Sequence, residues 1–270
     1  MTATCTDDTG RKYAASLFDS HVHLDAPEFD IDRDKVLANA ATAGVRELLV
    51  PAVARADWQK LHDLCTSQSG LYPAYGLHPC YLSRHADADL DALANWLDSH
   101  PASAVGECGL DFFDTGLDHD RQLRLLRGQF ELAHRFDLPL VLHARRAFEA
   151  MILELRRFGK PLRGVVHSFS GSLEQAQQLW KLGFMVGIGG PVTYQRAQRL
   201  RRTVAQLPIE CLLLETDAPD QPGAAQRGQR NEPAFLVEVL QCVAALRNEP
   251  PTAVAHATTA NARRLFVPHG

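Results

Sequence analysis

The chain has 270 residues, of which 46% are hydrophobic and 22% are charged, and its formal net charge is −4 at pH 7. This composition is typical of a folded globular protein, and the acidic balance excludes the broadly basic surface of a protein that coats duplex nucleic acid. The six cysteines lie far apart without a C-x-x-C pair, which indicates buried or incidental thiols in a reducing compartment.

Residues 1–15 are polar and are expected to form an N-terminal segment outside the folded unit, which we assign to residues 16–270. The segment lacks the apolar region of a secretory signal, and no stretch of the chain approaches the roughly 18 apolar residues of a membrane helix. We therefore expect a cytoplasmic protein that does not associate with membranes.

Short apolar runs alternate about eight times with amphipathic segments along the chain. The runs predict strands near residues 16–23, 47–51, 72–77, 104–107, 138–142, 164–166, 184–190 and 211–214. The segments between them predict helices over residues 31–44, 58–67, 90–99, 118–136, 146–158, 173–182 and 195–205, followed by two closing helices over 233–247 and 251–265.

This alternation, without a composition break that would mark a linker, predicts an α/β fold: a single TIM (β/α)₈ barrel with C-terminal helices. Ile31 is expected on the apolar face of the first helix. A doubly wound open sheet is the alternative, but it would not gather so many strand ends around one point.

Side chains that bind metals follow five of the predicted strands. They are His21 and His23 after the first strand, Glu107 after the fourth, His143 after the fifth, His167 after the sixth and Asp217 after the eighth. A barrel brings the carboxyl ends of its strands to one rim, so these side chains should converge. Four imidazoles and two carboxylates exceed the three protein ligands of a usual catalytic zinc site, which predicts two divalent cations.

Glu107 and Asp217 are the predicted catalytic residues. Glu107 follows a run that begins at Ala104 and is expected at the mouth of its strand, where its carboxylate could bridge both cations. Asp217 would bind one cation and orient the attacking water or accept its proton. Each donor alone has an ordinary structural interpretation, such as a helix cap, a core histidine or a turn aspartate, but their occurrence at so many strand ends favours the metal site.

Seven sequence blocks and the tail form an ordered set that resembles the TatD-type metal-dependent hydrolases, or TatD DNases, of the amidohydrolase superfamily. The blocks are FDSHVHLD (18–25), YGLHP (75–79), VGECGLDF (105–112), LPLVLHAR (138–145), GVVHSFSG (164–171), LLLETDAP (212–219) and RNEP (230–233), and the tail is TTANARRLF (258–266).

The resemblance implies a TIM barrel with a divalent-metal centre held by the six donors named above, and phosphodiester hydrolysis, typically exonucleolytic trimming of DNA. It also implies that His78 and Arg145 line the substrate phosphate. We expect two divalent cations, with Zn, Mg and Mn as candidates, and a metal-bound hydroxide as the nucleophile. Glu107 stands where many superfamily members use a carbamylated lysine. One position departs from the family: its third-strand motif commonly reads G-x-H-P-H, whereas this chain has Cys80 in place of the second histidine.

Other functions stay open at this point. The same centre could polarise a carbonyl, so a metal-dependent esterase or amidase, such as an aminoacyl-tRNA deacylase or a lactonase, is the alternative. A non-catalytic scaffold would be expected to lack at least one ligand, and none is missing. The partner we expect is DNA as single strands or strand ends, and the sequence implies no obligate protein partner.

Aromatic and basic residues near the predicted rim could add contacts to a nucleic acid. Phe112, Phe113 and Tyr194 could stack on bases, although core or loop packing is the usual role of such residues. Arg227 and Arg230 lie in a polar loop that could reach a phosphate or stay solvated.

Overall fold

The computed structural model describes residues 5–6, 12–13 and 16–267. Within residues 16–267, eight parallel strands form one sheet whose order follows the sequence. They are β1 (Leu17–Asp19), β2 (Val45–Pro51), β3 (Leu71–Tyr75), β4 (Ala104–Asp111), β5 (Leu140–Arg145), β6 (Gly164–Val166), β7 (Phe184–Ile188) and β8 (Leu212–Leu214).

Helices alternate with these strands, which confirms the predicted TIM barrel. They are α1 (Arg33–Thr42), α2 (Trp58–Ser67), α3 (Asp89–Ser99), α4 (His119–Arg135), α5 (Phe148–Phe158), α6 (Leu173–Lys181), α7 (Gln198–Gln206), α8 (Leu236–Arg247) and α9 (Pro251–Phe266). None of the helices in the described residues is long and apolar enough to cross a membrane.

The predicted polar segment of residues 1–15 is described only in part. Cys5–Thr6 and Lys12–Tyr13 pair as a separate antiparallel sheet. The other residues of the segment, like residues 268–270, lie outside the described residues. The boundary at residue 16 therefore stays a prediction.

Hydrogen bonds beyond the strand ends draw the first and last strands together. The Ser20 N–H donates to the Leu214 carbonyl at 3.0 Å, and the Asp217 N–H donates to the His21 carbonyl at 2.9 Å. These bonds nearly close the barrel between β1 and β8. They also place His21 beside Asp217, although the two residues are almost two hundred positions apart in the chain.

The barrel interior is filled by a cluster to which every strand contributes one buried side chain. The cluster contains Phe18, Leu49, Ala74, Ala104, Val141, Val165, Met185 and Leu213, together with Ala262 and Phe266 of α9. Helix α9 is tied to the amino ends of β1 and β8, because Thr259 donates to the Ser16 carbonyl at 3.1 Å and Asn261 donates to the Leu212 carbonyl at 3.0 Å. The helix thus lies across the end of the barrel opposite the carboxyl ends of the strands.

Local signals in the sequence fix where helices begin and end. Helix α6 starts with a capping box: the Ser172 hydroxyl accepts from the Gln175 N–H at 3.3 Å, and the Gln175 side chain accepts from the Ser172 N–H at 2.9 Å. Helix α5 ends at Gly159, whose φ of 70° lies in the left-handed region that glycine adopts without strain.

Two local predictions are wrong. Glu107 is not at the mouth of its strand, because β4 runs on to Asp111 and pairs with β5 at Gly109 opposite His143. The buried Cys108 and Leu110 extend the apolar run past the charged residue. Ile31 precedes α1, which begins at Arg33, and Ile31 is 97% exposed rather than on an apolar face.

Candidate metal centre

The carboxyl ends of the strands open into a cavity of about 890 Å³. Every site residue predicted from the sequence lies in or directly beside it. The cavity is lined by His23, His78, Glu107, His143, Arg145, His167 and Asp217 among others. His21 is fully buried against the same residues. Side chains from six strands therefore meet at one point, as the barrel prediction required.

The two carboxylate oxygens of Glu107 face two different groups of donors. Around Oε2 lie His21 Nε2 at 3.1 Å and His23 Nε2 at 3.4 Å. Asp217 Oδ1 completes this group, at 3.6 Å from His21 Nε2 and 3.7 Å from His23 Nε2. We call these side chains, with Glu107 Oε2, the first donor group.

The second donor group surrounds Glu107 Oε1. His167 Nε2 lies at 2.8 Å and His143 Nδ1 at 3.1 Å from this oxygen, and the two nitrogens are 3.2 Å apart. His78 Nε2 approaches the same oxygen at 2.9 Å. Glu107, buried to 1% exposure, therefore stands between the two groups.

These contacts fit bound cations better than a network of hydrogen bonds. Glu107 Oε2 is buried and accepts no hydrogen bond, although two imidazole nitrogens lie close to it. His21 Nε2 and His23 Nε2 lie 3.3 Å apart and point at the same carboxylate oxygen. Four ligands about 2.0–2.2 Å from one tetrahedral ion would stand roughly 3.3–3.6 Å from each other. The spacings in the first donor group, 3.1–3.7 Å, are centred on that range. Those in the second, 2.8–3.2 Å, are shorter.

Outer partners hold the inner side chains in place. His23 Nδ1 lies 3.2 Å from the Pro51 carbonyl, and His143 Nε2 lies 3.0 Å from Asp111 Oδ2. The Gln221 amide donates to Asp217 Oδ2, which leaves Oδ1 directed at the first donor group. Partners of this kind fix the tautomer and direction of an imidazole ligand.

Glu215, directly after β8, lies behind His167 without a hydrogen bond to its ring. Its Oε1 accepts from the Ser168 N–H and lies 3.8 Å from His167 Nδ1. The neighbouring strand β7 leaves room only for glycine at this point, because a Cβ on Gly187 would come within 1.9 Å of Glu215 Oε2. Sequence analysis missed Glu215, Asp111 and Gln221. Two of them carried a signal. Glu215 lies in the block LLLETDAP beside Asp217, and Asp111 lies in VGECGLDF near Glu107, so each is a carboxylate in an otherwise apolar or glycine-rich stretch.

The protonation states follow from burial and from this crowding. Burial alone would raise the pKa of Glu107, but the surrounding histidines hold it well below its usual range. Burial raises the pKa of Glu215 to about 8 and that of Asp19 to about 7. Burial lowers the pKa of His78 to about 4 against the opposing effect of Glu107, so this imidazole is neutral at pH 7.

His78 differs from the other four imidazoles in its hydrogen bonding. Its Nδ1 accepts from the Cys80 backbone N–H at 3.1 Å, so the proton of the neutral ring resides on Nε2. The Nε2–H then donates to Glu107 Oε1. His78 therefore presents a hydrogen-bond donor to the site, whereas a metal ligand must present a lone pair.

Arg145 lies at the rim with its guanidinium free of carboxylates. Its Cζ is 3.6 Å from the centroid of the Phe113 ring, a cation–π contact. The other two cations that line the cavity, Lys60 and Arg84, pair with Asp30 and Asp57. Among the described residues, Arg145 has no carboxylate partner within ion-pair distance.

The remaining sequence candidates are only partly at the rim. Phe113 is 46% exposed beside Arg145, but Phe112 packs on His119 with ring centroids 4.1 Å apart. The Tyr194 hydroxyl donates to the Pro222 carbonyl at 3.1 Å. Arg227 is exposed.

Arg230 does not have the role suggested for it. It forms two bonds to Asp32, at 2.8 and 2.7 Å, and a third to Glu232 at 3.0 Å. Its donors are thus committed to carboxylates, and the prediction that it could reach a phosphate is wrong. Of the cysteines with described side chains, Cys65, Cys108 and Cys211 are buried as expected, whereas Cys80 is exposed and lines the cavity.

Comparisons with known proteins agree with this geometry. The family model described as TatD related DNase matches residues 18–267. An uncharacterized metal-dependent hydrolase, YjjV of Escherichia coli, is 42% identical over 92% of this chain and 96% of its own length. The 3'-5' ssDNA/RNA exonuclease TatD of Erwinia billingiae is 35% identical over 93% of this chain and 98% of its own.

Solved structures show the same fold. The crystal structure of the YjjV TatD homolog from Escherichia coli superposes with a TM-score of 0.90 over 93% of this chain and 98% of that one, at 42% identity. A dihydroorotase from Campylobacter jejuni, at 11% identity, reaches a TM-score of 0.60 over 95% of this chain and 84% of its own, which reflects the shared barrel alone.

Proposed function

The chain belongs to the TatD related DNase family and is a metal-dependent hydrolase, and from this premise we propose that it removes nucleotides from the ends of single-stranded DNA by hydrolysing phosphodiester bonds. The observation that carries the proposal is the position of Glu107, whose two oxygens face separate groups of metal-type donors at the base of an open cavity. Enzymes that cleave phosphodiesters by in-line displacement commonly use two cations about 3.5–4 Å apart, which stabilise the attacking and leaving oxygens.

The proposed ligands divide between the two groups. The first group would hold one cation through His21, His23 and Asp217, and the second would hold the other through His143 and His167. Glu107 would contribute one oxygen to each. Imidazole-rich ligation favours zinc by affinity, and phosphodiester hydrolysis commonly uses Mg²⁺ or Mn²⁺, so all three are candidates. When bound, the cations would supply Lewis acidity toward the phosphate and lower the pKa of the attacking water.

The proposed roles of the other side chains follow from their hydrogen-bonding capacity. Asp217 Oδ1 faces the first donor group while Gln221 holds Oδ2, so Asp217 can orient the attacking water and accept its proton. The His78 Nε2–H would turn from Glu107 Oε1 to an oxygen of the scissile phosphate once a cation occupies that carboxylate oxygen, and the Arg145 guanidinium would donate to another phosphate oxygen. The His78 ring is neutral and carries its hydrogen on Nε2. Among the described residues, the Arg145 guanidinium has no carboxylate partner that would compete with a phosphate.

The cavity suits a strand end better than a duplex. It is blind, because the barrel core and α9 fill the space behind it. Carboxylates of Asp25 and Asp220 also line it, besides Asp57, whose charge is paired with Arg84. These charges would repel a polyanion, so the cations are needed for binding as well as for chemistry. Relatives named 3'-5' ssDNA/RNA exonuclease, about one-third identical to this chain, support the same substrate class.

The test is hydrolysis by protein first freed of metal with a chelator. Single-stranded DNA labelled at the 5' or the 3' end, matched RNA and matched duplex DNA are incubated with added Mg²⁺, Mn²⁺ or Zn²⁺. We expect metal-dependent stepwise shortening of single-stranded DNA, which Glu107→Gln abolishes and Glu131→Gln, an exposed carboxylate on α4, leaves intact. The two labels report the direction of trimming.

Two outcomes would overturn the proposal. The first is DNA shortening that Glu107→Gln leaves undiminished. The second is metal-dependent hydrolysis of an aminoacyl-tRNA ester or a simple lactone, assayed in parallel, with intact oligonucleotides throughout.

A further inference from the structure

His143 offers a different ring atom to the site than the other proposed imidazole ligands. His21, His23 and His167 direct Nε2 at Glu107, whereas His143 directs Nδ1. Its Nε2 points the opposite way, toward Asp111. A neutral imidazole has one lone pair, so something must keep the His143 proton on Nε2 for Nδ1 to serve as a ligand.

We propose that Asp111 is a positioning residue that fixes His143 in the tautomer whose Nδ1 can bind a cation, and that Cys80 holds Asp111 for this task. The proposal rests on the metal centre proposed above but not on the identity of its substrate. Asp111 touches no atom that would react.

Asp111 is anchored more firmly than a surface carboxylate. It is 1% exposed, and its Oδ1 accepts from the Phe113 N–H at 2.9 Å. Gln122 clamps its backbone from α4, accepting from the Asp111 N–H at 2.8 Å and donating to the Asp111 carbonyl at 2.9 Å. The second oxygen, Oδ2, is thereby held 3.0 Å from His143 Nε2. An ionised carboxylate only accepts, so the hydrogen must lie on His143.

Cys80 contacts both Asp111 and His78. Its thiol donates to Asp111 Oδ2 at 3.2 Å, and its backbone N–H donates to His78 Nδ1 at 3.1 Å. One residue therefore helps to set the proton positions of two site imidazoles, His143 through Asp111 and His78 directly. The family motif commonly has histidine at this position. In this chain the Cys80 side chain contacts a carboxylate of the site.

The opposing interpretation is that Cys80 is itself a ligand. His78, Cys80 and His143 present donor atoms within 4.8 Å of one another. That interpretation predicts a bond between sulfur and metal, whereas a positioning role predicts none. The two therefore differ in the spectrum of the metal-loaded protein.

The primary test uses the unaltered protein loaded with Zn²⁺. Long-range ¹H–¹⁵N NMR correlations report which ring nitrogen of each histidine carries hydrogen. We expect His143 to carry it on Nε2 and His23 and His167 to carry it on Nδ1. A hydrogen on His143 Nδ1 would overturn the proposal, and no variant has to fold for this result.

Variants then measure the effect on metal affinity by competition with a chromophoric chelator. Asp111→Ala should weaken Zn²⁺ binding about 10–100-fold, the usual loss when an outer partner of a histidine ligand is removed. Asp111→Asn keeps an acceptor oxygen and should recover most of the affinity. Asp114→Ala is the matched control: it removes an exposed carboxylate three residues on, which within residues 16–267 accepts a hydrogen bond from Gly116. Equal affinities in Asp111→Ala and Asp114→Ala would refute the assignment.

The role of Cys80 is tested with Co²⁺ as the probe. A positioning role predicts a near-ultraviolet spectrum without sulfur-to-cobalt charge transfer, unchanged in Cys80→Ser. Such a band, lost in Cys80→Ser, would show that Cys80 is a ligand and would overturn its proposed role. Because these readouts are binding and spectroscopy, a protein that failed to cleave DNA could still pass every one of them.

Discussion

The substitution Gly187→Ala should weaken metal binding from a position that touches no proposed ligand. Its Cβ would lie 1.9 Å from Glu215 Oε2 and 2.6 Å from Glu215 Cδ. Ordinary contacts begin near 3.4 Å, so the carboxylate must move by about 1.5 Å. Glu215 is fully buried and cannot swing into solvent. It must therefore leave Ser168 and withdraw from His167.

The expected magnitude follows from these contacts. The Glu215 carboxylate lies 3.8 Å from His167 Nδ1 without a hydrogen bond to it, so its withdrawal should weaken cation binding up to about tenfold, or about 1.4 kcal/mol, the lower end of the loss for an outer partner. Overpacking at a buried position should also lower the free energy of unfolding by about 1–3 kcal/mol. Zn²⁺ affinity is measured by chelator competition, and stability by chemical denaturation of the metal-free protein, so that the two effects are separated.

Two further variants decide whether the reasoning is correct. Gly189→Ala is the matched control, because its Cβ would lie 3.4 Å from Glu215 Cγ, an ordinary contact. Adding Glu215→Asp to Gly187→Ala shortens the crowded side chain and should restore part of the affinity. If Gly187→Ala binds Zn²⁺ as tightly as Gly189→Ala, the coupling of β7 to His167 through Glu215 does not exist.

Three more predictions concern the centre and its surroundings. Glu107→Gln should lower the number of bound Zn²⁺ ions per chain, counted by elemental analysis after dialysis, and a full complement would contradict the bridging role. Arg145→Ala should raise KM for single-stranded DNA about tenfold with little change in kcat, as expected for loss of about 1.4 kcal/mol of ground-state binding. Arg84→Ala is the control in the same steady-state assay, because the Arg84 charge is already paired with Asp57. For Asp19, burial raises the pKa to about 7 from 3.8. The folded state therefore retains a proton that the unfolded state loses. As pH rises from about 4 to 7, the free energy of unfolding of the metal-free protein should fall relative to that of Asp19→Asn, and above about pH 7 the difference should stay level. Urea midpoints of the two proteins that change in parallel would refute this.

The arrangement of the barrel could be predicted because its signals are local. Each strand is a short run of buried apolar residues, and each helix is an amphipathic segment with its own caps, so the order of elements can be derived without any long-range contact. Once the barrel is assumed, the position of a side chain just after a strand, such as His167 or Asp217, is enough to place it at the rim. The six donors were found for this reason.

The partners of those donors could not be predicted, because they depend on how neighbouring strands are aligned. Asp111 reaches His143 only because β4 extends four residues beyond Glu107 and pairs with β5 in a particular register. The predicted strand ended too early, since a charge and two glycines normally end an apolar run. Arg230 shows the same limit: its partner Asp32 is 198 positions away, and no local pattern connects them.

The packing of α9 against the amino end of β1 makes the protein suitable for circular permutation. Thr259 is bonded to Ser16, so the two ends of residues 16–267 lie on the face of the barrel opposite the cavity. A circular permutant that joined these ends with a short linker, and opened the chain in an exposed loop on that same face, would keep every donor on its original strand. New termini and fusion partners would then project away from the substrate entrance.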